Sequence, residues 1–241
     1  MKIYSKTDVG KVRSSNQDAF FAGELENGAV FGIVCDGMGG ANAGNVASET
    51  AVKIISDYIL RSYRIGMDEF EAEKMLRNAI ESANFEIYGL ASSNSDYAGM
   101  GTTAVVALVQ ENKAVIANVG DSRIYLVGDD ISQLTRDHSV VQSLIESGKI
   151  TPEDAKVHPR KNVITRALGT EECVVTDTSQ LEMTTGETLL LCTDGLSSYV
   201  DKEGILKVFK DTKPEYVPEE LVKLANSGGG GDNITVVTLT L

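Results

Sequence analysis

Thr102-Thr103-Ala104-Val105-Val106-Ala107-Leu108-Val109, then Gln110-Glu111-Asn112, then Lys113-Ala114-Val115-Ile116-Ala117-Asn118-Val119: two apolar runs meet across a link of hairpin length. Short runs rich in β-branched residues read as strands, and so short a link between them implies antiparallel pairing. The chain continues through Gly120-Asp121-Ser122-Arg123 into Ile124-Tyr125-Leu126-Val127. Gly128-Asp129-Asp130 then turns it into Ile131-Ser132-Gln133-Leu134. Consecutive strands with short links predict an antiparallel meander.

Two long helical patterns precede this block. One runs from about Ala43 to Tyr63, with Ala47, Ala51, Ile54, Ile55, Tyr58 and Ile59 on one face. The other runs from about Asp68 to Leu90, where Leu76, Ile80, Ala83, Ile87 and Leu90 keep the helical period. Later helices are shorter. Thr151-Pro152-Glu153-Asp154 is a capped start with proline in the first turn, and Val217 to Asn226 has Pro218 near its start and glycines beyond its end. Strands and helices come in blocks, which favours an α+β layered fold over a parallel doubly wound sheet. No composition shift marks a linker, and Gly228-Gly229-Gly230-Gly231 is followed by a core-like strand, so one domain is expected over residues 1–241.

The net charge of −13 argues against a nucleic-acid partner, because such binding neutralises phosphates with Lys and Arg. Three widely spaced cysteines read as reduced thiols rather than a disulfide framework. Met1-Lys2-Ile3-Tyr4-Ser5 lacks the apolar region of a secretory signal, and no stretch approaches the roughly 20 apolar residues of a membrane span. A cytoplasmic protein without a membrane partner is expected.

Aspartates sit beside glycine at the mouths of the apolar runs. Val30 to Cys35 leads into Asp36-Gly37-Met38-Gly39-Gly40, Leu189 to Thr193 into Asp194-Gly195, and Gly231-Asp232-Asn233 into Ile234 to Val237. Gly120-Asp121-Ser122-Arg123 repeats the pattern. Taken singly, an Asp-Gly pair is a turn, and Asp121 can equally pair with Arg123. Several carboxylates at the ends of buried strands need a positive partner, and a shared cation is one. Carboxylates without accompanying His or Cys point to Mg²⁺ or Mn²⁺ before Zn²⁺. Two such ions can acidify a water and clamp a phosphoryl oxygen. Arg13, in Gly10-Lys11-Val12-Arg13-Ser14-Ser15-Asn16-Gln17-Asp18, is suited to gripping phosphate with two parallel hydrogen bonds.

The ordered set, from Arg13 through Asp18, Asp36 to Gly40, Gly101-Thr102-Thr103, Gly120 to Arg123, Asp194-Gly195 and Gly231 to Asn233, resembles the metal-dependent serine/threonine protein phosphatases of the protein phosphatase 2C type, bacterial branch. The resemblance spans essentially the whole chain. It implies a four-layer α-β-β-α sandwich, two central antiparallel sheets flanked by helix pairs, with two Mn²⁺ or Mg²⁺ ions in a cleft at one end. Asp36 should bridge the ions, with the Gly37 carbonyl, Asp194 and Asp232 completing the ligand set. Asp18 should hold a metal-bound water, Asp121 with Asp194 should take a third, weaker ion, and Arg13 should bind the substrate phosphate. A flap is implied at about 141–166, with Gly148 as a hinge. Implied partners are phosphoproteins and a cognate serine/threonine kinase, for an enzyme acting as a monomer.

One departure stands out. Many relatives carry a histidine in or just after the first aspartate motif, whereas here the positions are Met38 and Ala41, followed by Asn42. The leaving-group proton must come either from a metal-bound water or from His158 on the flap, which would then also lie at the substrate. The other histidine, His138, reads as structural.

Other chemistries fit less well. Cysteine-dependent phosphatases place an arginine six residues after the cysteine, and here those positions hold Ala41, Ser179 and Ser198. Aspartyl-phosphate enzymes need a second aspartate two residues away, where Val34 and Met38 stand. No Gly-x-x-x-x-Gly-Lys-Ser/Thr loop supports a nucleotide enzyme. The remaining alternative is a catalytically dead phosphoprotein- or metal-binding module of the same fold, against which the complete aspartate set argues.

Overall fold

Side chains along each central strand alternate between two different cores. In the computed structural model, which describes residues 1–40 and 43–241, β3 (Val30–Met38) sends Phe31, Ile33 and Cys35 to one side and Val30 and Val34 to the other. Strand β10 (Thr188–Cys192) places Leu189 and Leu191 between the sheets, with Leu190 and Cys192 outside. Strand β11 (Ile234–Thr240) does the same with Val237 and Leu239 against Ile234 and Val236. A strand apolar on both faces must be covered on both faces, and this alternation generates the layers.

One sheet orders β2 (Asp18–Glu24), β3, β5 (Ala104–Gln110), β6 (Lys113–Val119) and β9 (Asp177–Glu182), with the short β4 (Gly101–Thr102) added to β3. The other orders β1 (Lys2–Asp8), β11, β10, β7 (Arg123–Val127) and β8 (Ile131–Gln133). Every pairing described is antiparallel. Helices α1 (Ala43–Ser62) and α2 (Glu69–Ser93) cover the first sheet, and α6 (Lys202–Asp211) and α7 (Val217–Ser227), with the short α5 (Asp194–Ser197), cover the second. The result is the expected α-β-β-α sandwich.

The predicted helices form close to their expected bounds. Asp68 is the N-cap of α2 and completes a capping box with Glu71. Thr151 caps α4 (Pro152–Val157) in the same way, with Asp154 in the role of Glu71. Gly228 closes α7 by donating to Leu224, and Gly230 accepts from the Lys11 amide at 2.7 Å. The glycine run therefore brings the chain against the Lys11 turn on its way into β11.

The single meander is corrected. Strands β5 and β6 pair, as do β7 and β8, but β6 and β7 lie in different sheets. Gly120-Asp121-Ser122 is the crossing between them. Gly120 adopts φ +107, and a Cβ there would stand 2.5 Å from the Thr103 side chain, so the crossing needs glycine. The run from Thr102 to Val109 is also split, because Thr103 turns its hydrogen bonds toward Asp36. Of the two positions where relatives carry a histidine, Met38 and Ala41, the second lies with Asn42 outside the described residues.

Leu191 is fully buried between the sheets, next to strands from both. Leu191→Ala is expected to lower the unfolding free energy by about 2–5 kcal/mol, measurable as a reduced urea midpoint at unchanged slope.

Candidate metal and phosphate site

The register of β2 against β3 sets Asp18 directly opposite Asp36, although like charges in that position repel. Asp194 opens α5 immediately after β10, Asp232 lies just before β11, and Asp121 lies in the crossing from β6 to β7. The five carboxylates thus come from both sheets and meet at one end of the sandwich. They sit at a half-exposed cleft floor rather than in the dry interior.

Crowding and burial act together on their acidity. Burial raises Asp36 well above the usual carboxylate range, and Asp18, Asp194, Asp121 and Asp232 add to the effect. Burial pushes Asp18 up to about 7 against the pull of hydrogen bonds from Thr235 and Thr193. Asp121 is likewise pushed up to about 7, by burial and then by Asp194 and Asp137. Asp194 is raised by burial and by Asp232, while a hydrogen bond with Asp36 opposes the rise. Because the cleft floor is still wetted, water and cations relieve this repulsion more than deep burial would allow.

One oxygen each of Asp18 and Asp194, Oδ1 in both, is sealed from solvent without a hydrogen-bond partner. Buried polar atoms are rarely left so; a cation would supply the missing partner at Asp194, and a water held by that cation the missing partner at Asp18. Among the described residues, no three Asp, Glu, His or Cys side chains converge closely enough to hold an ion unaided. A set of carboxylates without Cys or His suits Mg²⁺ or Mn²⁺, which take oxygen ligands and keep several waters, better than a closed Zn²⁺ site. Gly37 adds to the fit. A Cβ on Gly37 would lie 2.1 Å from the Gly44 carbonyl, and one on Gly44 would lie 2.8 Å from the Gly37 oxygen. Glycine at both positions lets the backbone approach closely here, as a carbonyl ligand at Gly37 would require.

Hydroxyls from the opposite sheet fix the carboxylates. Asp18 Oδ2 accepts from Thr193 Oγ1 at 2.9 Å and Thr235 Oγ1 at 2.7 Å. The Asp36 amide donates to Thr103 Oγ1 at 2.9 Å, and its carbonyl accepts from the Thr103 amide and the Thr102 hydroxyl, each at 2.9 Å. Thr103 Oγ1 is 2.7 Å from Ser122 Oγ, which ties Asp36 to the Asp121 crossing. Asn233 holds the Arg13 loop: it donates to the carbonyls of Val9 and Ser15 at 2.9 and 3.0 Å and accepts from the Gln17 amide at 2.8 Å. Sequence reading assigned no role to Thr103, Thr193, Thr235 or Asn233. Thr193 and Asn233 stand beside Asp194 and Asp232, which was the available signal; Thr103 and Thr235 adjoin no motif aspartate.

Arg13 donates to Asp232 Oδ2 at 2.8 Å. Arg123 does not pair with Asp121. It grips Asp137 through Nε, 3.0 and 3.1 Å from the two oxygens, and through Nη2 at 2.7 Å, leaving Asp121 free to face Asp194. A cavity of about 750 Å³ opens beside Asp121 and Asp194, between α3 (Val140–Glu146) with α4 and the α5–α6 side. Its walls include Lys156, Lys161 and Asn162 but not His158. His158 ends α4, with Nδ1 accepting from the Arg160 amide at 3.1 Å. His138, as expected, is a buried hydrogen-bonding residue.

Each raised carboxyl keeps its proton in the native state to higher pH than in the unfolded chain, whose aspartates titrate near 3.9. Native stability of chelator-treated protein should therefore fall as pH rises from about 4 toward 7. Denaturant unfolding is expected to give at least about 1 kcal/mol more stability at pH 5 than at pH 7.5, and Asp18→Asn should remove part of that difference. A profile that is flat, or equally steep in Asp18→Asn, would contradict the crowding.

A model of the protein phosphatase 2C family matches residues 10–224. The serine/threonine phosphatase stp of Listeria innocua serovar 6a is 43% identical over 234 residues, covering 96% of this chain and 92% of that protein. The crystal structure of the serine/threonine phosphatase Stp1 from Staphylococcus aureus matches with a TM-score of 0.93 at 37% identity, covering 100% of this chain and 94% of that one. The catalytic domain of the serine threonine protein phosphatase PstP, solved in complex with two manganese ions, matches with a TM-score of 0.84 at 32% identity over 98% and 96% of the two chains. Agreement of sequence and fold along nearly the full length is decisive: the chain belongs to the protein phosphatase 2C family of serine/threonine phosphatases.

Proposed function

We propose that this protein hydrolyses phosphoserine and phosphothreonine in proteins with two Mn²⁺ or Mg²⁺ ions, reversing a serine/threonine kinase in the cytoplasm as a monomer. The observation that carries this is the meeting of five aspartates from both sheets, two of them with a sealed and unpartnered oxygen. The relative solved with two manganese ions supports the metal count. Among the described residues no helix is long and apolar enough to cross a membrane.

When bound, the ions would supply an acidified water and counter-charge for the phosphoryl oxygens. Asp36, Asp194, Asp232 and the Gly37 carbonyl would hold them, with Asp121 and Asp194 as a weaker third position. Asp18, anchored through Oδ2 by two threonines, turns Oδ1 to orient water for in-line attack. Arg13 exchanges its exposed contact with Asp232 for the substrate phosphate. Residues 141–166 act as a flap over the neighbouring cavity. For the leaving alkoxide, we take water at the site as the proton donor, with His158 as the alternative.

Activity toward a phosphopeptide should vanish with chelator and return with Mn²⁺ or Mg²⁺. Asp36→Asn should remain inactive after metal is restored; metal-independent turnover, or full activity of the variant, would overturn the mechanism. Arg13→Ala is expected to raise KM for the phosphopeptide about tenfold, the loss of a charge-assisted contact worth about 1.4 kcal/mol. His158→Ala should leave the pH–rate profile of kcat unchanged, and loss of its alkaline limb would instead identify His158 as the acid.

A further inference from the structure

His138 is 1% exposed and lies outside the aspartate cluster, yet its contacts converge on the crossing that carries Asp121. Its backbone amide donates to the Gly120 carbonyl at 2.9 Å, and its ring Nδ1 accepts from the Gly120 amide at 2.9 Å. A peptide N–H can only donate, so Nδ1 carries a lone pair and the single ring proton of the neutral imidazole is on Nε2. Burial lowers the ring's proton affinity below the ordinary histidine value, favouring the neutral form. Nε2 faces Asp177 Oδ2 at 3.0 Å. Arg166 Nη1 lies equally near Nε2, but two donors do not bond, and Arg166 instead donates to Asp177 Oδ1 at 2.7 Å and to the Val175 carbonyl at 2.9 Å.

The same residue sits at the base of the proposed flap. The His138 carbonyl accepts from the Thr165 amide at 2.7 Å, and the Val140 amide donates to the Val163 carbonyl at 2.9 Å. Asp177 therefore joins the incoming end of that segment, through His138, to its outgoing end, through Arg166. Neighbouring bonds run beside it, from Asn118 to the Arg136 carbonyl and from Arg123 to Asp137. Among the described residues, His138 alone bonds both the amide and the carbonyl of Gly120.

We infer that His138, with its tautomer fixed by Asp177, is a positioning residue that holds the Gly120–Asp121 crossing against the aspartate cluster and couples it to the base of the 139–166 segment. This rests on the metal-dependent reading of the cluster. The arrangement follows the general rule that a residue orienting a ligand loop acts on affinity without touching the ion, and losing such a partner typically costs 10–100-fold.

Substitutions of similar size separate this from a merely structural role. In His138→Asn the amide oxygen stands where Nδ1 stood and can still accept from Gly120. In His138→Gln the longer side chain places its amide nearer the Nε2 position and loses that acceptor. Metal binding is read without turnover, by titrating Mn²⁺ and following the free ion by electron paramagnetic resonance. The weakest Mn²⁺ step should weaken about tenfold in His138→Gln and stay within about threefold of wild type in His138→Asn. Equal affinity for wild type and His138→Gln, or equal losses in both variants, would overturn the inference. With two histidines in the chain, ¹⁵N shifts of the metal-free wild type also assign the tautomer. Nδ1 should show an unprotonated shift and Nε2 a protonated one; the reverse overturns the inference even if neither variant folds. A wild type that binds no Mn²⁺ but shows the expected tautomer would reject the metal-dependent reading and leave His138 with no ion to position, whereas normal Mn²⁺ binding with the wrong tautomer would reject only the role given to His138.

Discussion

The pairing of β2 with β3 cannot slip. In β3 the apolar side chains alternate between the helix-facing core and the inter-sheet core, so a shift of one residue would exchange the two sets. Both cores are full, and that exchange would misplace Phe31, Ile33 and Val34 together. The register that satisfies them also sets Asp18 against Asp36. Repulsion at the end of the sandwich is thus imposed by packing along its length. The apolar interior fixes the carboxylates in a geometry they would not adopt alone.

Stacking the second sheet sharpens this conflict and also organises it. Asp194 and Asp232 arrive from β10 and β11, adding charge, while Thr193 and Thr235 arrive from the same strands as donors. One Asp18 oxygen is therefore satisfied by hydroxyls and the other is left sealed without a partner. An asymmetric carboxylate of this kind is a rigid acceptor pointing in one direction. Thr103 does the equivalent for the Asp36 backbone, and its hydroxyl passes the constraint to Ser122 in the crossing. The site is stiff because it lies where the sheets are joined, and loops alone could not hold like charges this close.

Much of this was legible in sequence because it follows from periodicity and order. The α1 and α2 stripes, the β5–β6 hairpin and the cap at Thr151 are local signals, and the chain obeys them. The motif aspartates were readable as a set because each ends or begins an apolar run. What escaped was non-local. Nothing near Val119 states that the chain changes sheet at Gly120, since the strands on either side look alike and the link is short enough for a hairpin. Only the contact of Gly120 with Thr103 and the two-sided grip of His138 decide it. The sequence left a pairing of Arg123 with Asp121 open; Asp121 is nearer in sequence, but Asp137 is nearer in space.

The two arginines near the cluster divide the work by how firmly they are held. Arg123 is largely enclosed and locked to Asp137 through Nε and Nη2, with Tyr125 on its other side. Breaking such a pair leaves a buried charge and costs about 3–5 kcal/mol, so Arg123 stays in place and shapes the wall. Arg13 makes one contact to Asp232, with side chains 53% and 31% exposed. An exposed pair of that kind contributes about 0–1 kcal/mol, little enough for an incoming phosphate to displace it. The contact also occupies an oxygen of a proposed metal ligand, so a cation at Asp232 and a phosphate at Arg13 each remove the reason for the pair to persist. Metal and substrate would then favour one another through a single weak bond, while the strong bond at Arg123 keeps the frame fixed.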